Sequence, residues 1–316
     1  MRNWILLFAC NLMWALQFTC IKLVEDQVGG YMTVWVPMLL ATIGLIPFVR
    51  AEARKHRTER VTNKRDVANF LILGAFGFFP AQVFMTWGTR MSLASNGALL
   101  TLALPVFTAV MAMIILKEKM NRARWISFGF AIIGVLVISA KDIQGSSFEF
   151  KYLAGDLLIL TAILGNSLNN SFGKVILRRF TPLEMLFWTY CVMLVLLLPF
   201  VLPDIGQFIS TIPHFTANTW IGMSLLTFFH NFLSMIIFLI VLAELDAIQV
   251  ALTNYLITFF GLPIAAFTLG ERLAPLAIVG GIFVLGSTLL ITIWDKPTDA
   301  AVEVPITSEH EHPEKK

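Results

Sequence analysis

The chain consists of long apolar stretches that alternate with short polar connections. A helix needs about 20 mainly apolar residues to cross a bilayer, and about ten stretches reach that length. They lie at approximately 3–24, 32–50, 67–90, 93–116, 122–140, 153–177, 183–203, 219–243, 247–269 and 273–294. The pattern therefore predicts an all-α integral membrane protein with ten transmembrane helices.

Composition supports lipid as the solvent of this chain. Of its 316 residues, 57% are hydrophobic and only 14% are charged, and the mean hydropathy of +0.78 exceeds that of ordinary soluble domains. Cys10, Cys20 and Cys191 lie inside apolar stretches without the spacing of a metal site, so we expect neither a disulfide framework nor bound metal. The first stretch has no small-residue cleavage site and is interpreted as a retained helix.

Lysine and arginine are concentrated in the connections on one side of the predicted bundle. The connections at 50–66, 117–124 and 178–182 hold seven, four and two of them. Because cytoplasmic loops carry the excess of positive charge, these loops and both termini are expected in the cytoplasm. The net charge of +3 then reflects topology, and no nucleic-acid partner is expected. The polar residues 295–316 predict a disordered cytoplasmic tail.

The second half of the chain repeats the first. Lys22 and Lys174 are 152 positions apart, and the run 116–119 (Leu-Lys-Glu-Lys) matches 269–272 (Leu-Gly-Glu-Arg) at 153. Five spans in each unit would invert the second unit, as in many secondary transporters whose substrate site lies at the repeat interface. We therefore expect two inverted-topology five-helix repeats. The predicted division is a first repeat at 1–140, a connecting loop at 141–152 and a second repeat at 153–294.

The repeated motifs resemble the EamA domain of the drug/metabolite transporter (DMT) superfamily. The first unit carries Ala-Ser-Asn-Gly-Ala-Leu at 94–99 and Leu-Pro-Val-Phe at 104–107, and the second begins with Gly-Asp-Leu-Leu at 155–158. The resemblance covers residues 3–294. It implies alternating-access transport of small metabolites, often export of amino acids or amines. It also implies a cavity lined by the first, third, fourth, sixth, eighth and ninth helices.

Small residues indicate where helices approach closely within lipid. Gly129 and Gly134 on the fifth predicted helix, with Ala277 and Gly281 on the tenth, permit close backbone contact. We therefore interpret the fifth and tenth helices as scaffold that packs the halves together.

Polar and ionisable side chains inside the predicted spans are the candidates for substrate binding or gating. Such groups are costly in an apolar helix and mostly face the interior of the bundle. The candidates are Asn11, Trp14, Gln17, Lys22, Gln82, Thr86, Arg90, Asn96, Asn166, Asn170, Lys174, His230, Asn231, Gln249 and Asn254. None of them forms a catalytic or metal-binding motif.

Several of these polar residues have two interpretations. Lys22 and Lys174 could attract an anionic group at opposite mouths, or they could anchor helix C-termini at the interface. His230 could carry a coupling proton or be a hydrogen-bonded core histidine. Glu118 and Glu271 recur in both halves, and each is expected to stabilise the N-terminus of the helix that follows it.

These observations predict a secondary transporter that exports small polar metabolites such as amino acids or amines. The expected location is the plasma membrane, as a multi-pass protein of a bacterial inner membrane. The sequence contains no H-E-x-x-H or nucleotide-binding loop, so no enzyme activity and no cofactor are expected. The expected partners are a small-molecule substrate and the lipid bilayer; protons as coupling ion and a homodimer remain open.

Two other functions fit the same pattern of apolar stretches. A flippase for lipids or lipid-linked sugars would use the same fold with a lateral opening lined by apolar residues. A structural or sensory membrane protein would have a cavity without convergent polar groups. The nature of the cavity and of any lateral opening therefore separates the three hypotheses.

Overall fold

All the regular secondary structure in the part that the computed structural model describes is helical. Those residues are 2–55, 63–117, 122, 125–127, 129–130, 132–134, 136–137, 150–245, 247–271 and 275–294. Six helices are long and apolar enough to cross a membrane: Arg2–Val24, Gly30–Glu52, Lys64–Met91, Ala94–Ile115, Pro182–His214 and Ala217–Glu244. Shorter apolar helices occupy Trp125–Gly134, Leu256–Leu269 and Ile278–Ser287. The architecture is that of a multi-pass membrane protein.

We number the α-helical segments with regular geometry along the chain. They are α1 (Arg2–Val24), α2 (Gly30–Lys55), α3 (Lys64–Ile72), α4 (Met85–Met91), α5 (Ala94–Leu100), α6 (Leu104–Ile115), α7 (Phe150–Leu177), α8 (Pro182–Val201), α9 (Ile205–Thr211), α10 (Ala217–Leu225), α11 (Met235–Glu244), α12 (Ala247–Leu252), α13 (Tyr255–Leu269) and α14 (Pro275–Trp294). Further helical residues lie within 122–137.

The predicted spans agree with these helices to within a few residues where the structure describes them. The seventh span is predicted at 183–203, and the observed helical segment Pro182–His214 continues beyond it through α9. The fifth, at 122–140, is described only in part, so the count of ten remains a prediction, as does the cytoplasmic position of the termini. The predicted tail at 295–316 and most of the connecting loop lie outside the described residues.

Local sequence accounts for several helix ends. The Asn63 side chain accepts a hydrogen bond from the backbone of Asp66 and the Asp66 side chain returns one, which is a capping box at the start of α3. Thr181 and Glu184 form the same arrangement at the start of α8. Gly270 follows α13 with φ of 68°, the left-handed conformation that glycine adopts without strain at a helix C-terminus.

Both repeats contain helices that are interrupted at equivalent places. The helix Lys64–Met91 changes to π-helical geometry at Leu73–Phe78 and Pro80–Phe84, and the helix Ala217–Glu244 does so at Leu226–Ser234. The next helix of the first repeat has a 3₁₀ turn at Thr101–Ala103, and its counterpart turns between α12 and α13. Such interruptions inside a membrane helix are tolerated where the backbone lines a cavity.

Each repeat sends its first helix into the other repeat. Helix α1 packs on α13 and on the helix Ala217–Glu244, while α7 packs on α6 and on the helix Lys64–Met91. The second helices of the repeats, α2 and α8, pack on each other. This exchange brings side chains of both halves to one central interface.

The glycines predicted to lie at close helix contacts differ in their surroundings. A Cβ atom on Gly129 would meet nothing within 4 Å, so the expected close approach is wrong at that residue, whereas a Cβ on Gly281 of α14 would lie 2.8 Å from Leu99 Cδ2. Close backbone contacts also occur where none is predicted: a Cβ on Gly155 of α7 would lie 2.8 Å from the carbonyl oxygen of Gly88, and one on Gly165 would lie 2.7 Å from that of Gly77. Glycine pairs therefore set the distance between α7 and the helix Lys64–Met91.

Glu271 stabilises a different helix from the one expected. Its carboxylate accepts hydrogen bonds from the backbone N–H groups of Ala94 at 2.9 Å and Ser95 at 2.8 Å. The second repeat thus caps α5 of the first repeat, where the helix dipole favours a negative charge. Its counterpart, Glu118, lies outside the described residues.

Candidate functional site

A narrow polar cavity lies between the two repeats. The space between its lining atoms, including the part open to solvent, is about 580 Å³. The lining residues are Trp14, Gln17, Phe18, Ala81, Gln82, Met85, Thr101, Leu104, Asn166, Asn169, Asn170, His230, Met235, Phe238, Asn254 and Ile257. They come from the six helices that the resemblance implies.

The helix interruptions bring polar groups to this cavity. Gln82 lies in the π-helical segment Pro80–Phe84 and His230 in Leu226–Ser234. Thr101 lies in the 3₁₀ turn before α6, and Asn254 directly precedes α13. Because π and 3₁₀ geometry change the rotation per residue, these positions do not follow the regular helical spacing of the surrounding sequence.

Three buried side chains in the cavity wall have polar atoms without hydrogen-bond partners among the residues described. The atoms without partners are both ring nitrogens of His230, both amide atoms of Asn254 and Oδ1 of Asn169. These residues are only 5%, 1% and 3% exposed. An unpaired buried polar group costs about 1–3 kcal/mol, so native proteins seldom keep one without a reason. Their convergence on one cavity marks a place where a polar ligand would supply the missing partners.

The rings of Trp14, Phe18 and Phe238 line the same cavity and form its aromatic surface. The Trp14 indole N–H donates to Ser234 Oγ at 2.9 Å, and the Trp14 ring lies 4.9 Å from that of Phe238. A Cβ atom on Gly97 would lie 2.6 Å from the Phe18 ring, so Phe18 packs directly against the backbone of α5. Because its N–H is already used, Trp14 offers the cavity mainly its ring.

A smaller polar pocket adjoins the cavity. It encloses about 210 Å³ and shares Gln17, Gln82 and His230 with the main cavity. The other lining residues are Ile21, Thr33, Val34, Thr86, Leu226 and Asn231. The three shared residues therefore separate the two spaces.

Lys22 and Arg90 lie close to this smaller pocket but do not line it. The Lys22 ammonium is 3.1 Å from the Glu25 carboxylate and donates to the backbone oxygen of Arg90 at 3.1 Å. The Arg90 guanidinium donates to the backbone oxygens of Val28 at 2.8 Å and Glu25 at 2.7 Å. Together they tie the α1–α2 connection to the end of α4. This arrangement is compatible with both gate and anchor, and the choice between them remains a prediction.

The profile of the EamA-like transporter family matches the chain twice, at residues 2–140 and 153–293. The chain belongs to the EamA-like transporter family. The two matches correspond to the two halves recognised from the repeated motifs. The resemblance inferred from those motifs is confirmed.

Named relatives of the transporter include exporters. It is 27% identical over 278 residues to a "probable terminal-alkyne amino-acid exporter" of Streptantibioticus cattleyicolor, covering 88% of this chain and 89% of that one. It is 26% identical to the uncharacterized transporter YyaM of Bacillus subtilis, covering 79% and 80%. It is 24% identical to a "probable amino-acid metabolite efflux pump" of Salmonella typhimurium, covering 86% and 88%. Each of these names describes the relative and not this chain.

The fold of the transporter also matches a solved crystal structure. The two superpose with a TM-score of 0.63 at 12% sequence identity, covering 93% of this chain and 99% of the other. At that identity the likeness concerns the fold alone. Across the described part of the transporter, no group of three histidine, cysteine or acidic residues is placed to hold a metal ion.

The predicted site residues of the transporter separate into three groups. Those in the cavity wall are Trp14, Gln17, Gln82, Asn166, Asn170, His230 and Asn254. Thr86 and Asn231 line the smaller pocket. Lys22, Arg90, Asn11, Asn96 and Lys174 are not among the lining residues of either space, and the side chain of Gln249 lies outside the described residues.

Two of the remaining candidates join helices. Asn11 donates to Thr253 Oγ1 at 3.0 Å and so links α1 to the turn before α13. Asn96 donates to Ser92 Oγ at 3.0 Å, and Ser92 donates to the Asp156 carboxylate on α7. The Nδ2 groups of both amides therefore donate hydrogen bonds that contribute to packing between helices.

Sequence reasoning missed Asn169 and Thr101, which line the cavity. A usable signal existed in the internal repeat. Asn169 is 152 positions after Gln17, and Asn254 is 153 positions after Thr101. Applying the repeat offset to each predicted residue would have identified both.

Proposed function

We propose that this transporter is a secondary carrier that exports small polar metabolites, such as amino acids or amines, by alternating access. The observation that carries the proposal is the group of unpaired polar atoms in a cavity between the two repeats. A purely structural protein would gain stability by replacing such atoms with apolar ones. The names of the exporter relatives support the direction of transport.

The energy source in this proposal is an ion gradient. The sequence has no nucleotide-binding loop, and the exchange of first helices between the repeats provides an interface about which the halves could rock. We propose protons as the coupling ion and a bacterial inner membrane as the location, with both termini in the cytoplasm.

The test is solute uptake by proteoliposomes that contain the purified transporter. The panel holds amino acids, polyamines, nucleosides and organic acids, each measured with and without an imposed pH gradient. The proposal expects saturable uptake of at least one solute, accelerated by the gradient. Substituting both Asn169 and Asn254 by alanine should abolish it, because the buried polar partners are lost. Asn218→Ala, at an exposed position of α10, is the matched control and should leave uptake unchanged.

An apolar groove on the outside of the bundle favours lipid flipping as the second candidate. The groove lies between α2, α9 and the helix that begins with α10, and its volume is about 890 Å³ including the part open to solvent. Its lining includes Leu40, Phe208, Phe215 and Trp220. This is the kind of lateral opening that a flippase needs. However, the groove shares no lining residue with the central cavity, so the unpaired polar atoms favour the carrier. Dithionite quenching of fluorescent lipids in the same vesicles would reveal flipping in place of solute uptake.

A further inference from the structure

We infer that the central cavity selects solutes that have no net charge but carry both an ammonium and a carboxylate group. The apolar part of such a solute would lie against the aromatic surface. Simple cationic amines and simple carboxylates would bind poorly. The inference rests on the proposed function and chooses between the amino acids and amines that it leaves open.

The first argument is the charge of the cavity wall. Among the lining residues that the structure describes there is no lysine, arginine, aspartate or glutamate. Polarity comes instead from six carboxamides, those of Gln17, Gln82, Asn166, Asn169, Asn170 and Asn254. Burying a net charge without an opposite charge is expensive, whereas a zwitterion brings its own counter-charge. A neutral wall therefore penalises ions and tolerates zwitterions.

The second argument is the balance of donors and acceptors among the unpaired atoms. In its neutral form, the His230 ring offers one donor and one acceptor. Asn254 adds a donor through Nδ2 and an acceptor through Oδ1, and Asn169 Oδ1 is a further acceptor. Three acceptors can take the three N–H bonds of an ammonium, and two donors can serve a carboxylate. An amine alone would leave the two donors unpaired, and an acid alone would leave the three acceptors unpaired.

The third argument is that equivalent positions of the two repeats differ in chemistry. Trp14 and Phe18 of α1 correspond, at an offset of 152, to Asn166 and Asn170 of α7, and all four line the cavity. At these two pairs of positions the first repeat contributes aromatic rings and the second contributes amides. All five unpaired atoms also belong to the second repeat. This asymmetry orients the solute, with its charged groups toward the unpaired atoms and its apolar part toward Trp14 and Phe18.

The experiment compares solutes that share an apolar part. Phenylalanine, phenethylamine and 3-phenylpropionate form one set; leucine, isoamylamine and 4-methylvalerate form another. Binding to the purified transporter is measured as thermal stabilisation and as competition against uptake of the best panel solute. We expect each amino acid to bind at least about tenfold more tightly than the matching amine or acid. The amine lacks the carboxylate and the acid lacks the ammonium, so each leaves buried polar atoms of the cavity unpaired. Equal binding of the amine or the acid would overturn the inference and leave the carrier standing.

A change of charge in the wall supplies the second arm. Asn254→Asp keeps the shape of the side chain and places a carboxylate where the solute's own carboxylate would bind. Phenethylamine should then gain about tenfold in affinity and phenylalanine should lose about as much. Asn218→Asp makes the same change at an exposed position and should alter neither. If Asn254→Asp does not fold, Asn169→Asp is used in its place; because Asn169 Oδ1 is one of the acceptors assigned to the ammonium, the expected result there is the gain in affinity for phenethylamine alone.

The outcomes separate the two proposals. Uptake that prefers a solute with net charge, or an Asn254→Asp transporter whose preference is unchanged, overturns the selectivity for zwitterions only. Absence of saturable uptake for every solute of the panel overturns the proposed function itself.

Discussion

His230 illustrates how a single residue can have opposite interpretations in sequence and in structure. A lone histidine in an apolar helix is usually a core residue whose ring nitrogens are hydrogen-bonded. Here the ring is 5% exposed, lines both polar spaces and has no partner for either nitrogen within the described part of the chain. Its burial therefore costs stability that a polar ligand would restore.

This leads to a prediction for His230→Leu. Removing two unpaired nitrogens should leave the melting temperature unchanged or slightly raised, because an apolar side chain suits the site better. Solute uptake should fall at least about tenfold. Thermal unfolding in detergent and proteoliposome uptake measure the two effects. His214→Leu, at an exposed position, is the control. A clear loss of stability with uptake intact would instead identify a structural histidine.

Lys22 makes contacts that favour an effect on movement more than on binding. Its ammonium ties the α1–α2 connection to α4 through Glu25 and the backbone of Arg90, and it does not line the cavity.

We therefore expect Lys22→Ala to change the maximal uptake rate by about threefold or more with KM unaltered, because the clamp must break and reform in each cycle. Lys64→Ala, at an exposed position, should change neither. A higher KM at constant maximal rate would mean that Lys22 contacts the solute, and no change at all would make it an interfacial anchor.

At the scale of helices, hydropathy located the spans well because each must bury its backbone within lipid. It did not reveal where they are interrupted. Pro80 and Pro105 remove backbone donors near two of the breaks, but no proline explains the π-helical segment Leu226–Ser234. Contacts with neighbouring helices decide that geometry, and a single segment of sequence does not contain them.

The glycine pair between α4 and α7 provides a prediction at this scale. A Cβ at residue 155 would lie within 2.8–2.9 Å of backbone atoms of Gly88, Met91 and Ser92, which cannot move aside as a side chain can. We expect Gly155→Ala to cost about 1–3 kcal/mol by overpacking and to lower the melting temperature.

Gly286→Ala is the matched control on α14, because its Cβ would meet no atom within 4 Å. It should be neutral or stabilising by up to about 1 kcal/mol, since alanine is the better helix former. Equal melting temperatures for the two variants would show that α4 and α7 pack less tightly than described.

At the scale of the whole molecule, the exchange of first helices joins the two repeats into one transporter. The orientation of that assembly in the membrane is a separate property, set by the basic loops. Green fluorescent protein fluoresces when it folds in the cytoplasm. We therefore predict that cells in which it is fused after residue 294 are fluorescent, because the C-terminus is expected on the cytoplasmic side. Alkaline phosphatase is active only outside the cytoplasm. It should be active when inserted at 204–218, because this connection contains no lysine or arginine and is therefore expected on the outer side. A non-fluorescent fusion after residue 294 together with an inactive phosphatase at 204–218 would show that the orientation is the reverse of the predicted one.

The sequence by itself determined the membrane class, the approximate spans, the internal repeat and the family, because these depend on composition and order along the chain. Only the tertiary structure decided which polar residues share a cavity. Asn11 and Trp14 lie on one face of α1, yet Asn11 bonds to Thr253 while Trp14 lines the cavity. Asn254 reaches the same cavity from the other repeat. The physical reason is that helical spacing fixes a face, whereas the neighbours of that face come from distant segments and from breaks in regular geometry.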